Sequence, residues 1–357
     1  MQNPGWSRRR FIKSAGAGGL GLLAIPALTA ARAQARTKPG ARLVTPGAVQ
    51  PARLGVFCEP QPPEHGFYDS LQHFEQEIGR EVRIYRSYRS WGAKLETPPI
   101  TSLLKRATPP RFYFTVHSFY DSKGNNPIPW SEITAGMHDP VIDGYAAELT
   151  KITGKTPVYM CFHHEMENEE GKCGTPDDFQ AAYWYFRNRI ENVHGVTKLT
   201  WVITYMGNTF RGKHGGPERW WPANPPQGLL ADHLMGVDVY NRNLCHGKGW
   251  RKFDYLIENP WIFATQVGRP LFIGECGTVE GDECGGTGPH GTKKAKWYDQ
   301  AFEYMSQTAP SLGYVQLDAF CYSHVHGFND GSYRIDTSPE SQQAFATMAN
   351  DTFFAKN

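Results

Sequence analysis

The sequence predicts a (β/α)8 TIM barrel of the α/β class, and three observations carry that expectation. Eight short, mostly apolar runs recur along the chain, longer amphipathic stretches separate them, and polar residues gather where several runs end. Parallel β/α folds produce this alternation, because a strand covered on both faces reads as a continuous apolar run. An open doubly wound sheet is the rival, but no Gly-x-Gly-x-x-Gly follows the first run and no phosphate loop occurs.

The first element in the chain lies outside that fold. Ser7-Arg8-Arg9-Arg10-Phe11-Ile12-Lys13 precedes a Gly/Ala/Leu run reaching Ala30, and Ala33-Gln34-Ala35 offers small residues to a signal peptidase. The pattern predicts a twin-arginine signal peptide over 1–35, a mature chain beginning near Arg36 and a secreted or periplasmic product. A retained anchor is the alternative, but Pro26 and several glycines break the run, and a spanning helix wants about 20 mostly apolar residues. No later run approaches that length, so no membrane association is expected once the signal is gone. Residues 36–52, rich in Pro, Gly and Ala, read as a linker, and 53–357 as a single domain of about 300 residues, the usual size for this barrel.

The eight strand candidates are Leu54–Cys58, Val82–Tyr85, Phe112–Val116, Val158–Phe162, Leu199–Tyr205, Met235–Tyr240, Leu271–Gly274 and Tyr314–Phe320. Helices are expected over Tyr68–Ile78, Ile142–Ile152, Pro176–Val193, Phe253–Gln266, Lys294–Thr308 and Ser338–Phe353. Two starts are explicit. Thr175-Pro176-Asp177-Asp178 and Ser338-Pro339-Glu340 each supply an N-cap hydroxyl, proline at the first helical position and acid in the first turn.

The formal charge is +2, and removing the five cations that precede residue 36 leaves the mature chain near −3. That balance argues against a nucleic-acid partner. Aromatics make up 13% of the chain; they cover apolar sugar faces in carbohydrate clefts, but they also fill ordinary cores. The seven cysteines are odd in number, so at least one is unpaired within a monomer. Cys276 and Cys284 are placed to close one loop. No cysteine spacing matches a zinc pattern, and neither a metal nor a cofactor is expected.

Chemistry on such a barrel gathers at the C-terminal strand ends. The third run ends in His117-Ser118, the fourth in His163-His164-Glu165, the sixth in Asp238-Val239-Tyr240-Asn241 and the seventh in Glu275. Retaining glycosidases pair a carboxylic acid with a nucleophilic carboxylate about 5–5.5 Å away. Glu165 and Glu275 suit those roles, because one rim brings distant residues together around the axis. A zinc reading of His163-His164-Glu165 fails, since His-Glu-x-x-His needs a helix and a histidine where Asn168 stands. His163 and His117 read as structural histidines. Beyond Glu165, the acid-rich run to Glu170 reads as a solvated loop.

On these residues the chain resembles glycoside hydrolase family 26, the β-mannanase family. His164-Glu165-Met166 is similar to the start of the family's His-Glu-Met-Asn signature, Pro270-Leu271-Phe272-Ile273-Gly274-Glu275-Cys276-Gly277 to its nucleophile strand, and Gly236-Val237-Asp238-Val239-Tyr240-Asn241 to its sixth strand. Phe74-Glu75-Gln76-Glu77-Ile78-Gly79 and Ile133-Thr134-Ala135-Gly136 with Asp139 extend the likeness across most of the mature chain. The resemblance implies a glycoside hydrolase barrel with acid/base and nucleophile on strands four and seven. It makes Glu165 the acid/base, Glu275 the nucleophile, His164 a binder of sugar hydroxyls and Tyr240 a hydrogen-bond partner of Glu275, with Asn241 beside it.

This chain also departs from the pattern. Cys161 stands where the family commonly has arginine, Glu167 where the signature has asparagine, and Asn168–Cys173 lacks the tryptophans that often follow. Phe320 or Tyr322 is then the candidate to floor the cleavage subsite, since the eighth strand region holds no tryptophan. Trp220, Trp221 and Trp250 either stack on sugar rings or pin long loops. The expected activity is hydrolysis of a polysaccharide (mannan, xylan, mixed-linkage glucan or exopolysaccharide) by a secreted monomer. A barrel that binds polysaccharide without cutting it is the second reading.

Overall fold

Eight parallel strands close a barrel in sequence order: β1 (Arg53–Cys58), β2 (Ile84–Arg89), β3 (Arg111–Val116), β4 (Val158–Phe162), β5 (Leu199–Met206), β6 (Leu234–Asn241), β7 (Leu271–Thr278) and β8 (Leu317–His324). Pairing of β8 with β1, from Arg53 opposite Ala319 to Cys58 opposite His324, makes the closure. This computed structural model describes residues 49–121, 126–247, 249–327 and 331–355. The export signal expected over 1–35 and most of the expected linker lie outside the described residues.

The helices are α1 (Phe67–Ile78), α2 (Pro98–Leu103), α3 (Trp130–Thr134), α4 (Asp139–Thr153), α5 (Pro176–Asn188), α6 (Phe253–Gln266), α7 (Thr292–Glu303), a single turn α8 (Ala309–Ser311) and α9 (Pro339–Ala349). Thr175 caps α5 in a full capping box with Asp178, and Ser338 caps α9 by accepting from the Ser341 amide. The runs expected as continuous helices to Val193 and Thr308 end in π-turns at Arg189–Val193 and Tyr304–Thr308. The last helix stops at Ala349, where the turn at Asn350 and the Asp351 cap redirect the chain. No helix is long and apolar enough to cross a membrane among the described residues.

Two layers of side chains hold this frame. Between barrel and helices lies a large apolar shell that includes Leu54, Val56, Phe112, Phe114, Met160 and Phe162. Inside the barrel, Ile84, Tyr113, Tyr159, Cys161, Val202, Leu234, Phe272, Ala319 and Cys321 form a separate cluster. Gly55 takes the β1 place in that layer because there is no room for more: a Cβ would stand 2.6 Å from the Cys321 sulfur and 2.8 Å from the Ile84 Cβ. At the N-terminal end, Arg53 reaches Tyr159 at 2.8 Å and Asp318 at 3.1 Å, and Tyr159 donates to Asp318 at 2.6 Å. Asp318 is thus part of a plug below the core.

β2 and β8 run further toward the C-terminal rim than their apolar residues suggest. Arg86, Ser87 and Arg89 interrupt one run, and Ser323 and His324 follow the other. The loop closure considered for Cys276 and Cys284 does not form. Cys284 is bonded to Cys245, which ties the loops after β6 and β7 together. Cys276 is buried in the helix-facing shell and points away from that loop.

Candidate active site

The seventh strand makes the site by breaking its own alternation. Phe272 belongs to the interior cluster and Gly274 also faces inward, so strict alternation would turn Glu275 toward the helices. In the pairing with β6, however, Ile273 stands opposite Val237 and Glu275 opposite Asp238. Gly274 is the extra residue of a bulge, and the bulge swings Glu275 into the barrel. Gly274 serves a second purpose. A Cβ there would lie 2.8 Å from an Arg86 nitrogen and 2.8 Å from an Asp238 oxygen, so the missing side chain is the space those two groups occupy.

Three groups converge on the Glu275 carboxylate, which is 3% exposed. The Tyr88 hydroxyl, from β2, donates a short hydrogen bond to Oε1. The Tyr240 hydroxyl, from β6, donates to Oε2 at 2.5 Å and lies 2.7 Å from the Ser323 hydroxyl on β8. Arg86, fully buried, places its guanidinium 3.2 Å from Glu275 and 3.3 Å from Asp238. Burial works against the charge of Arg86, but Tyr88, Asp238 and Tyr113 outweigh it and hold its pKa well above the ordinary value. Its ring contacts with Tyr88 and Tyr113, both at 4.6 Å, fix the guanidinium plane. Two donated hydrogen bonds and a facing cation are the surroundings that suit a carboxylate anion.

The fourth strand meets this group from across the barrel. His164 Nε2 is 3.8 Å from Glu275 and 3.9 Å from Asp238. Glu165, the next residue, is half-buried. Its backbone is left-handed, with φ of 52°, and its amide donates to the Thr204 carbonyl at 2.8 Å. A non-glycine residue in that region is uncommon and collects at functional sites. The Asn168 amide donates to Glu165 at 3.4 Å.

The carboxyl groups of the following turn are not solvated as the sequence suggested. Glu167 and Glu169 are 1% and 2% exposed. Glu167 accepts from the Met206 amide at 2.8 Å and the Thr209 hydroxyl at 2.6 Å, and so stitches the β4 turn to β5. Burial, opposed by those hydrogen bonds and assisted by nearby Glu165, pushes its pKa up to about 8.

His163 and His117 are wholly buried beside this group. His163 lies 2.6 Å from the Ser118 hydroxyl and packs against Trp130 and Phe119. Burial pulls its pKa down to about 3, and that of His117 well below the ordinary value. His164, Asp238 and Glu275 offer ligand atoms within 4.8 Å of one another and could hold a cation. Arg86 already opposes both carboxylates with a fixed positive charge.

Several residues expected to meet substrate stand elsewhere. Phe320 and Tyr322 point into the helix shell; Phe320 packs on Phe354, while the Tyr322 hydroxyl meets that of Tyr298 at 2.7 Å. Alternation along β8 sends Ser323, and not these rings, toward the site. Trp220 is fully buried against Trp130 and Phe179, and Trp221 packs on His233 and Phe263. Both pin their loop. Asn241 is fully buried too, bridging Thr278 and the Arg251 amide at 2.9 Å each. Arg86 and Tyr88 were missed, because the second run was ended at Tyr85. An arginine continuing the alternation of Ile84-Tyr85-Arg86-Ser87-Tyr88 was the available signal.

Structures of family 26 mannanases share this architecture. A mannanase from Bacillus subtilis superposes with a TM-score of 0.56 at 13% identity, over 86% of this chain and 87% of its own. The modular endo-β-1,4-mannanase from Cellulomonas fimi gives 0.57 at 14% identity, over 85% of this chain and 71% of its own. The catalytic domain of a family 26 endo-β-1,4-mannanase from Bacillus sp. JAMB-750 gives 0.55 at 14% identity, over 85% and 86%. The chain has a family 26 mannanase-like fold. No protein-family model matches the sequence, and no curated protein matches it.

Proposed function

We propose that this barrel is a retaining β-glycosidase that hydrolyses a polysaccharide by double displacement. The observation that carries the reading is the convergence of Tyr88, Tyr240 and Arg86 on Glu275, directly across from the strand end that bears Glu165. A carboxylate with a donor on each oxygen and a guanidinium alongside suits attack on an anomeric carbon. The half-buried turn that carries Glu165 supports its reading as the group that exchanges a proton with the leaving oxygen and then with water.

In the first step Glu275 forms a bond to the anomeric carbon as Glu165 gives its proton to the departing glycosidic oxygen. In the second, water attacks that carbon, Glu165 takes the proton and Glu275 leaves. His164, 3.8 Å from Glu275, is positioned to bind a sugar hydroxyl beside the nucleophile. Tyr240 keeps its proposed role as a partner of Glu275.

The structural neighbours include mannanases, one an endo-β-1,4-mannanase, which favours a β-linked polysaccharide as substrate. A screen of β-1,4-mannan, β-1,3-xylan, mixed-linkage glucan and bacterial exopolysaccharides identifies it. The reading includes export through the twin-arginine segment at 1–35, a linker over 36–52 and a monomeric product.

The deciding experiment is Glu275→Ala. Turnover is expected to vanish, and azide with an activated glycoside should restore reaction and yield the glycosyl azide of inverted configuration. Substantial activity in the untreated variant removes Glu275 from the nucleophile role.

A further inference from the structure

A second cluster lies at the seam where the barrel closes. α1 follows β1, and the short turn Ile335–Thr337 follows β8. His73 and Glu77 are four residues apart on α1 and so share a face; their Nε2 and Oε1 atoms are 3.6 Å apart. Asp336 comes from the other side of the seam, and His73, Glu77 and Asp336 each offer a ligand atom within 4.8 Å of the others.

Three features set this trio apart from an ordinary acidic surface. The Glu77 side chain is only 8% exposed, and its buried Oε2 meets no donor other than the neighbouring Asp336 carboxyl. The other nitrogen of His73, Nδ1, lies 3.1 Å from Glu64. That carboxylate is itself held by Arg334 at 3.0 Å and the Gln61 amide at 2.7 Å. A carboxylate at Nδ1 favours the tautomer with its proton there and turns the Nε2 lone pair toward Glu77, as carboxylates do behind metal-binding histidines. Arg334 also orients Asp336 at 3.0 Å. Finally, Arg334 is shared between Glu64 and Asp336, while Glu77 faces His73 and Asp336.

We propose that His73, Glu77 and Asp336 bind zinc, with water at the fourth position, and that the ion clamps α1 to the chain leaving β8. One imidazole with two carboxylates suits zinc, whereas calcium and magnesium take oxygen ligands alone. Tetrahedral zinc ligands stand about 3.3 Å apart, so the site tightens on binding, and His73, 48% exposed, is free to make that movement. The clamp acts across the pairing of first and last strands and is independent of the glycosidase reading.

The test uses the full chain freed of metal by chelation, with zinc chloride as the probe in calorimetric titration and thermal melts. Wild type is expected to bind one zinc per chain and to melt a few degrees higher at saturation. His73→Ala and Glu77→Gln should each weaken this zinc binding at least tenfold and remove the rise in Tm. Glu64→Gln should weaken it about tenfold. Calcium chloride should give no comparable shift. Circular dichroism of the metal-free variants checks their folding, and if Glu77→Gln unfolds, the cobalt(II) absorption spectrum of wild type against His73→Ala decides. Zinc binding left unchanged by His73→Ala, or none by wild type at millimolar zinc, overturns the proposal.

Discussion

β4 leads into one glutamate just past its end and β7 carries another within its last residues, and the two are treated in opposite ways. Glu275 is sealed in the barrel, with a hydroxyl on each oxygen and a guanidinium alongside. Glu165 sits half-buried on a left-handed turn, with a side-chain amide at 3.4 Å. The contrast teaches that identical side chains acquire different chemistry from their surroundings. The enclosed group has donors on both oxygens and a facing cation, and the open one lies where water can reach it.

The largest effect that tests this contrast is expected from Glu165→Ala. Loss of an acid/base should slow hydrolysis of glycosides with poor leaving groups by about 10²–10⁴-fold. Aryl glycosides with good leaving groups should keep most of their first step. A leaving-group series of kcat/KM measures this, and a uniform loss across the series would erase the distinction between the two rims.

Next comes Arg86→Met, which keeps the bulk but strands Asp238 and Glu275 without their shared cation. Removing one member of a buried ion pair costs about 3–5 kcal/mol, readable in urea unfolding. A variant as stable as wild type would show that Arg86 does not carry the electrostatic balance of the β7 side.

Tyr88→Phe removes one of the two phenols on Glu275 and leaves the packing. Turnover should fall about tenfold, the equivalent of one charge-assisted hydrogen bond, with KM little changed. A change in KM alone would move Tyr88 from holding the nucleophile to binding substrate.

The smallest effect belongs to the β4 side. Folded Glu167 keeps its proton up to about pH 8, whereas an unfolded glutamate releases it near 4.5. The folded chain therefore binds more protons between those values, and its stability falls as pH rises through them. Glu167→Gln cannot titrate, so the fall in Tm from pH 5 to pH 8 should become shallower. An unaltered slope would assign that titration to another group.

Most of the barrel was legible because strands covered on both faces leave long apolar runs, and the limits of β4 and α6 were read to the residue. Errors came where polar side chains enter the barrel. β2 was cut short at Tyr85 because Arg86 reads as an end to apolar character, when it is the charge that the interior requires. The bulge at Gly274 was invisible, since nothing in Phe272-Ile273-Gly274-Glu275 states which residue lacks a partner on β6. Phe320 and Tyr322 were placed near substrate on the strength of their rings alone. The parity of β8, which sends them to the helices, depends on register that only pairing with β1 and β7 sets. Glu167 was read as solvated because acidic runs usually are, and its burial depends on donors from Met206 and Thr209 far along the chain.

The bond between Cys245 and Cys284 stands beside five reduced thiols, those of Cys58, Cys161, Cys173, Cys276 and Cys321, all sealed from water. A nascent chain has no such partition, and an oxidant meeting it early could join almost any two of its sulfurs. After the eight strands have closed, five are shielded and the remaining two face each other. Correct oxidation is therefore a matter of timing: the walls must be up before the latch is set.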